Sequence, residues 1–260
     1  MTGTGDLVSR FLGAADQAAP NCVEGLYLVG SAAFDDFQPG RSDLDLVVVT
    51  RDPGDPAVIG AIEQARRTIA GSIATDGVVL GWDDLQQDPV IVGPRPCFDA
   101  AAFYPSARLM LDPVTWHTLA RYAILVRGPR QTETSMWCDR TALKHWTRGN
   151  LAGYWTDWHR RHDSLFSYAG ITALHPRVVE WGVLGVSRLL YTLATGGLTS
   201  KTGAGLYARD AMPNRWRPLI DTAISIRSGR RAGFAGNPWH LRREMLDYVA
   251  EAIGHGRLHY

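Results

Sequence analysis

The sequence has few cysteines, no long apolar run and almost no net charge. Its three cysteines, Cys22, Cys97 and Cys138, are scattered over 260 residues, which argues against a disulfide framework and against the paired spacing of a metal site. No run of eighteen apolar residues occurs, so the sequence offers no candidate transmembrane helix. The N-terminal residues lack the charged and apolar parts of a signal peptide. We therefore expect a cytoplasmic protein with reduced thiols and no membrane partner.

The charge balance excludes a protein that binds its partners through an overall electrostatic field. Lys and Arg total 27 against 26 Asp and Glu, which gives a formal net charge of +1. No basic stripe with interleaved aromatic residues is visible, so we expect no nucleic-acid partner. The 45% hydrophobic content suits a globular chain with a sizeable core, and 260 residues allow one large domain or two small ones. We expect a monomer.

One motif near the N-terminus carries most of the chemical information. Gly30-Ser31 ends an apolar run, ten residues follow, and Ser42-Asp43-Leu-Asp45 then opens a second apolar run. Because side chains alternate along a strand, Asp43 and Asp45 are predicted to point the same way while the leucines beside them enter the core. The motif therefore predicts two carboxylates on one face of a buried strand, close to a glycine-containing turn.

Two carboxylates at this spacing repel each other unless a cation lies between them. A hard divalent cation, usually Mg²⁺, takes carboxylate oxygens and keeps positions open for phosphate. Gly30 allows close approach of a phosphate to the backbone, and Ser31 adds a hydroxyl and an amide donor at the start of a short helix. A lone Asp-x-Asp is most often a solvated strand edge or turn, but the full pattern is far more specific. It indicates a nucleoside triphosphate held through its phosphates and a metal.

Transfer from such a nucleotide also needs a group that takes the acceptor's proton, and a third carboxylate commonly supplies it or completes a second metal site. The candidate is Asp76, at the head of an apolar run that reaches Trp82. The alternative is that Asp76 only caps a turn after the preceding helix. Asp83 and Asp84, at the far end of the same strand, are expected to be solvated turn residues.

The pattern of apolar residues changes near residue 138. Before it, one helix is predicted ahead of Pro20 and a second helix starts at Pro56. Strands are predicted at 25–29, 43–50, 77–82 and 122–126, and the segment 88–113 shows no clear periodicity. After it, helices are predicted at 140–160, 177–194, 202–211, 215–227 and 239–253. We therefore predict a catalytic domain over 1–138 that combines strands and helices, followed by an all-helical domain over 139–260.

The two halves together resemble a known family. The Gly-Ser and Ser-Asp-x-Asp pattern resembles the signature of the DNA polymerase β-like nucleotidyltransferase superfamily. The helical half is similar to the C-terminal domain of the bacterial aminoglycoside adenylyltransferases that modify streptomycin and spectinomycin. The residues that carry this second resemblance are Ser187-Arg188, Tyr191-Thr192, Thr195-Gly196, Ser200-Lys201, Tyr207-Ala208 and Met212-Pro213.

The resemblance implies an α+β fold, with a mixed sheet in the first domain, and an ATP- and Mg²⁺-dependent transfer of AMP to a hydroxyl of a small molecule. Two Mg²⁺ ions would be held by Asp43, Asp45 and Asp76. Lys201 and Arg188 would contact the nucleotide phosphates, and a phosphate role is likewise expected of Gly30, Ser31 and Ser42. We expect the site to lie in the cleft between the domains, where ligand sites are frequent.

Some positions depart from the family. The third carboxylate is a Glu in the family, where Asp76 stands here. The family's nucleotide-contacting Tyr falls on Arg227, which is expected to keep a contact of a different kind with a phosphate or the base. The family's antibiotic-contacting residues have no clear counterparts upstream of Arg188. Substitute residues for binding the acceptor are predicted at Trp155, Asp157, Glu180 and Trp181, although residues on a buried helix face would show the same pattern.

Beside an aminoglycoside acceptor, three alternatives stay open from the sequence. The acceptor is an intermediate of a natural-product pathway, or it is a protein, or the chain is a catalytically weak nucleotide-binding or regulatory module. The intact Asp43 and Asp45 pair argues against the weak module. A compact single domain is usual for transferases that modify proteins, and this chain is longer.

Overall fold

The computed structural model describes residues 2–230 and 237–259. The chain divides into two compact units, Met1–Asp139 and Arg140–Tyr260. No helix in the described ranges is long and apolar enough to cross a membrane.

The first unit combines helices with a six-stranded sheet. Helix α1 spans Thr2–Ala18, and α2 is a single short turn, Gly30–Ala33. The remaining elements are β1 Gly25–Leu28, β2 Leu44–Thr50, α3 Pro56–Ile69, β3 Thr75–Gly81, β4 Arg95–Phe98, β5 Phe103–Ala107, α4 Pro113–Arg121 and β6 Ile124–Arg127. Asp55 and Asp112 cap α3 and α4 by accepting hydrogen bonds from Ala57 N and Thr115 N.

The sheet is mixed, in the order β5-β4-β3-β2-β1-β6. Only β2 and β3 pair in parallel; the other neighbours among the described strands run antiparallel. A parallel pair needs a crossover connection, and α3 supplies it between β2 and β3. These two strands lie side by side in the middle of the sheet and are buried on both faces.

Helices cover both faces of this sheet. On one face α1 and α3 pack against the strands through a cluster that includes Phe11 and Ile62, together with Leu44, Leu46 and other strand residues. On the opposite face α4 contributes Trp116 and Leu119 to a second cluster with strand residues, among them Val47, Val49, Val78 and Leu80. The alternation predicted for β2 thus leads to two separate cores, one on each side of the sheet.

The second unit is entirely helical in its described part. Its elements are α5 Arg140–Asn150, a π-helical segment Leu151–Trp155, α6 Thr156–Asp163, α7 Tyr168–Thr172, α8 Pro176–Thr195, α9 Lys201–Ala211, α10 Arg217–Arg227 and α11 Pro238–His259. Helix α8 contributes apolar residues to a single core shared with α9, α10 and α11. Ser187 and Tyr248 hydrogen-bond inside this core, with 2.7 Å between their hydroxyl oxygens.

The predicted fold class is confirmed: a mixed sheet with helices is followed by a helical region. Several details differ from the sequence prediction, among them helix α7 and strands β4 and β5, which it did not place. Helix α4 was not predicted, because its nine residues follow a proline-rich stretch and bury apolar and polar residues alike. Strand β6 starts at Ile124 rather than Tyr122, which ends α4. The predicted helix over 140–160 contains a π-helical segment in its middle.

The expectation that Asp84 is a solvated turn residue is wrong. Its side chain is buried and accepts hydrogen bonds from Gly81 N at 2.8 Å and from Arg95 Nε and Nη2 at 2.8 and 2.6 Å. Asp84 therefore closes the end of β3 and ties it to β4 by a two-pronged ion pair. Sequence alone could not indicate this, because Arg95 lies eleven residues away behind an irregular loop.

We expect Asp84→Ala to lower the free energy of unfolding by about 3 kcal/mol, the lower end of the cost of removing one partner from a buried pair. The lower end applies because Arg95 keeps part of its contact with solvent. Urea denaturation measures the change. Glu63→Ala, which breaks the exposed Glu63–Arg67 pair on α3, is the control and should stay within about 0.5 kcal/mol of the wild type. Equal effects of both substitutions would contradict the structural role of Asp84.

Candidate active site

The parallel pairing of β2 and β3 brings two predicted carboxylates together. Asp45 and Asp76 are direct partners in the register of the two strands. Both stand on the face that carries Val47 and Val78, because side chains two positions apart share a face. Asp76 lies inside β3, which excludes the alternative that it only caps a turn after α3. Neighbouring strands are about 4.8 Å apart, so the two carboxylates are adjacent.

Asp43 adds a third negative charge to this end of the sheet. It immediately precedes β2 and is exposed, in line with the alternation that places it on the side of Asp45. Burial raises the pKa of the Asp76 carboxyl above its ordinary value, and the charges of Asp43 and Asp99 raise it further. A hydrogen bond with the backbone of Ala100 opposes this rise. The balance keeps Asp76 a better proton acceptor than an ordinary carboxylate.

Asp99 is a contributor that the sequence did not reveal. It ends β4, the strand that pairs with β3 on the side away from β2, and its charge reaches Asp76. Its own carboxylate accepts hydrogen bonds from Ala101 N, Ala102 N and the Tyr104 hydroxyl at 2.8 to 3.0 Å. These bonds lower the pKa of Asp99, so it stays charged beside Asp76. Only the placement of β4 next to β3 could have identified it.

Gly30 is required by Asp45 itself. Its φ of +58° lies in the left-handed region, and a Cβ added there would sit 1.8 Å from Asp45 Oδ2. Val29 N also donates to Asp45 O at 3.0 Å, which fixes the end of β1 against β2. The sequence suggested close approach of a phosphate as the reason for this glycine. The structure provides a further reason, the carboxylate that lies against its Cα.

Of the two predicted phosphate-binding serines, Ser31 and Ser42, one is already engaged in the loop between α2 and β2. Ser42 Oγ accepts from Gln38 N at 3.0 Å, and Ser42 N donates to Gln38 O at 2.9 Å. Ser31 lies in α2, the short helix that was predicted, and its buried Oγ has no hydrogen-bond partner among the described residues. A buried hydroxyl in this state is costly, and a ligand oxygen would satisfy it.

The residues around Asp45 fit a divalent cation shared with a phosphate. The donors are carboxylate oxygens, and the unsatisfied Ser31 hydroxyl belongs to the turn that touches Asp45. Within the described ranges, no group of three or more His, Cys, Asp or Glu side chains is arranged to hold a metal ion by itself. Proteins usually bind Mg²⁺ through one or two carboxylates together with substrate phosphates, so Asp45 and a phosphate are the ligands that a Mg²⁺ ion would use here.

The second unit contains the predicted phosphate-binding lysine in an unusual setting. Lys201 is the first residue of α9, after the Ser200 cap, whose hydroxyl accepts from Gly203 N at 2.9 Å. Its ammonium lies 3.8 Å from Glu180 Oε1 and 4.9 Å above the centre of the Trp181 ring. The Lys201 side chain is only 23% exposed. A cation at a helix start opposes the helix dipole, so a simple solvated surface role does not account for it.

Arg227, predicted to contact the nucleotide, is buried at the end of α10. Its Nη1 donates to Glu180 Oε1 at 3.3 Å, and the Glu180 side chain is only 10% exposed. Glu180 was predicted as a candidate for binding the acceptor. In the structure the two residues satisfy each other across α8 and α10, which gives both a role inside the helical unit.

The other predicted residues of the helical half differ in exposure. Trp155 is 3% exposed and belongs to the core; it packs so closely on α8 that a Cβ on Gly185 would lie 2.4 Å from its ring. This buried position corrects its prediction as a wall for the acceptor. Asp157 is exposed and pairs with Arg160 at 2.9 Å. Trp181 is partly exposed and stacks on Trp155 with 6.4 Å between ring centres. Arg188, half-buried, lies two turns further along α8.

Two sequence families match separate parts of the chain. The nucleotidyltransferase domain family matches residues 8–86, which contain β1, β2 and β3 with Gly30, Asp45 and Asp76. The C-terminal domain family of aminoglycoside adenylyltransferases matches residues 169–253, which contain Glu180 and Lys201. No curated protein matches the chain significantly.

A solved structure shares the fold at low sequence identity. It is spectinomycin adenyltransferase AAD(9) from Enterococcus faecialis, in a crystal structure with ATP and spectinomycin. The TM-score is 0.71 with 13% sequence identity, and the match covers 96% of this chain and 98% of that one. At this identity the similarity concerns the fold.

We expect Asp76→Asn to stabilise the protein at neutral pH in a metal-free buffer. Because the pKa of Asp76 is raised in the folded state, its ionised carboxyl lowers the free energy of unfolding at every pH above that pKa. As pH falls through the folded pKa towards the unfolded value, the wild type takes up the proton and the advantage of the variant disappears. Urea denaturation from neutral to acidic pH measures this. Asp83→Asn, at the exposed far end of β3, is the matched control; an equal gain there, or a pH-independent gain, would contradict the assignment.

Proposed function

We propose that this chain, an enzyme of the nucleotidyltransferase type that resembles the aminoglycoside adenylyltransferases, transfers AMP from ATP to a hydroxyl of an aminoglycoside. The observation that carries the proposal is the presence of both family domains in one chain, the nucleotidyltransferase domain at 8–86 and the adenylyltransferase C-terminal domain at 169–253. The structural neighbour, solved with ATP and spectinomycin, supports the same pair of substrate classes.

The reaction requires a base beside the attacking hydroxyl. The acceptor oxygen attacks the α-phosphorus, its proton passes to the Asp76 carboxylate, and the bond to the bridging oxygen of pyrophosphate breaks. A base works best when its pKa lies near the working pH, and the raised pKa of Asp76 favours this role.

In this proposal a metal ion and cationic side chains balance the negative charge of the phosphates. Asp43 and Asp45 would hold Mg²⁺, which would supply charge neutralisation and polarise phosphate oxygens, and Asp76 would be a third ligand if it is not the base. The Ser31 hydroxyl and the backbone around Gly30 and Ser42 would orient the phosphates. Lys201 and Arg188 would stabilise the charge that develops on pyrophosphate, as an ammonium point charge and a guanidinium fork are suited to do.

The acceptor is expected to be a hydroxylated, cationic small molecule. Such ligands offer little apolar surface, so they are bound mainly through charge-assisted hydrogen bonds. Asp157 and Trp181 are the exposed members of the predicted acceptor set, and each stays a candidate contact. Because Asp157 already pairs with Arg160, an acceptor amine would compete with that arginine for the carboxylate.

We expect Asp76→Ala to lower kcat by about 10²–10⁴ with little change in nucleotide affinity, because a base acts mainly in the transition state. Single-turnover kinetics and ATP binding, measured separately, test this. If Asp76 serves chiefly as a metal ligand, Mg²⁺ affinity will fall together with kcat. A variant that keeps both quantities would show that Asp76 is not part of the site.

The proposed substrate class is tested by incubating the protein with ATP, Mg²⁺ and a panel of aminoglycosides. We expect one antibiotic to gain the mass of a single adenylyl group, with release of pyrophosphate. Asp45→Asn is the matched control: it removes one carboxylate of the pair and should abolish the transfer while the protein stays folded. If ATP binds but no aminoglycoside is modified, and expression in a susceptible bacterium gives no protection, the aminoglycoside proposal is wrong.

A further inference from the structure

A buried carboxylate lies between two cations in the helical unit. Glu180, on α8, places its Oε1 3.3 Å from Arg227 Nη1 and 3.8 Å from Lys201 Nζ. Three helices meet here, since Arg227 ends α10 and Lys201 begins α9. One oxygen thus bridges an arginine and a lysine, which is an arrangement that a phosphate oxygen also adopts in an anion site.

The two ion pairs of Glu180 are not equivalent. The Arg227 side chain is 5% exposed, so its pairing is desolvated and costly to break. The Lys201 side chain is 23% exposed and its ammonium is further away. Arg227 is therefore suited to hold Glu180 permanently, whereas the contact with Lys201 can be exchanged. This also explains how a buried arginine can serve a phosphate site without touching the phosphate.

Lys201 needs compensation when no anion is bound. As the first residue of α9 it faces the positive end of the helix dipole, which disfavours a cation there. The Glu180 carboxylate and the face of the Trp181 ring both attract its ammonium. Trp155 stacks on Trp181, so that aromatic partner is itself held in place by the core.

We propose that Glu180 is an internal counter-ion of Lys201, anchored by Arg227, and that the phosphates of the nucleotide displace it from the lysine. The inference rests on the proposed phosphate contact of Lys201. It adds that breaking the Glu180–Lys201 ion pair lowers the affinity of that contact. Nucleotide binding must replace one ion pair by another, and pyrophosphate release is assisted when Glu180 pairs with Lys201 again. Glu180 is thus a residue that tunes the affinity of the site and touches no reacting atom.

The test is a double-mutant cycle on binding. Calorimetry gives the Kd of ATP and of inorganic pyrophosphate, each with Mg²⁺, for the wild type, Glu180→Gln, Lys201→Met and the double variant. Gln keeps an oxygen that can accept from Arg227 while the negative charge is lost. We expect Glu180→Gln to lower both Kd values by about three- to tenfold, the scale of a partly exposed ion pair. In the Lys201→Met background the same substitution should have no effect on either Kd.

Two controls separate this effect from a general change of charge or of stability. Glu251→Gln removes a carboxylate that pairs with Arg215 in the same unit and should leave both Kd values within about twofold. Glu180→Asp keeps the charge and the partner Arg227 but withdraws the carboxylate, and should tighten binding less than Glu180→Gln. If the Glu180→Gln variant does not fold, Glu180→Asp takes its place in the binding measurements.

The outcomes distinguish the counter-ion from the proposed function. An unchanged or higher Kd for the Glu180 variants, or an equal gain when Lys201 is absent, would overturn the counter-ion role. If Lys201→Met alone binds ATP and pyrophosphate as tightly as the wild type, the phosphate contact of Lys201 is wrong, and the proposed site in the helical unit fails with it.

Discussion

The candidate site depends on one pairing, the parallel register of β2 and β3. That register sets Asp45 beside Asp76 and so places two like charges on neighbouring strands. Such an arrangement opposes folding, and it persists because both strands are buried in apolar clusters on each face of the sheet. The pKa of the Asp76 carboxyl is raised as well, first by burial and then by the charges of Asp43 and Asp99.

Strand β3 shows the two opposite uses of a carboxylate within one element. Asp84, just beyond its end, is buried, fully hydrogen-bonded and paired with Arg95. Asp76, near its start, has acidic neighbours on both adjoining strands and a raised pKa. Asp84 stabilises the connection to β4. Asp76 is electrostatically unfavourable for the fold, and it lies in the proposed active site. A loss of stability at active sites is a general cost of function.

The helical unit handles the opposite sign of charge in a related way. The Glu180 carboxylate lies 3.8 Å from Lys201 Nζ and 3.3 Å from Arg227 Nη1, so it neutralises part of their positive charge inside the unit. The carboxylates at Asp45 and Asp76 have like charges as neighbours, whereas these cations have a carboxylate between them.

Much of the architecture was readable from the sequence, because it follows from short-range periodicity. Alternation along 43–50 separated Asp45 from the core leucines, and the Gly30-Ser31 turn was found by its composition. A switch to helical spacing near residue 138 predicted a helical second half. Asp45 was named on the basis of the alternation, whereas Asp76 was named from the resemblance to the nucleotidyltransferases. Contacts between residues far apart in the chain carry no such local signal.

Those long-range contacts are what only the tertiary structure decided. The pairing of Glu180 with Arg227 spans 47 residues, and each looked from sequence like a separate ligand contact. Trp155 had a helical spacing that suits a core or a binding wall equally, and packing against Gly185 settled it as core. Asp99 gained its influence on Asp76 only because β4 adds to the sheet beside β3. Sequence determined which residues carry charge and which face each takes on its own element; the packing of one element on another decided which charges meet.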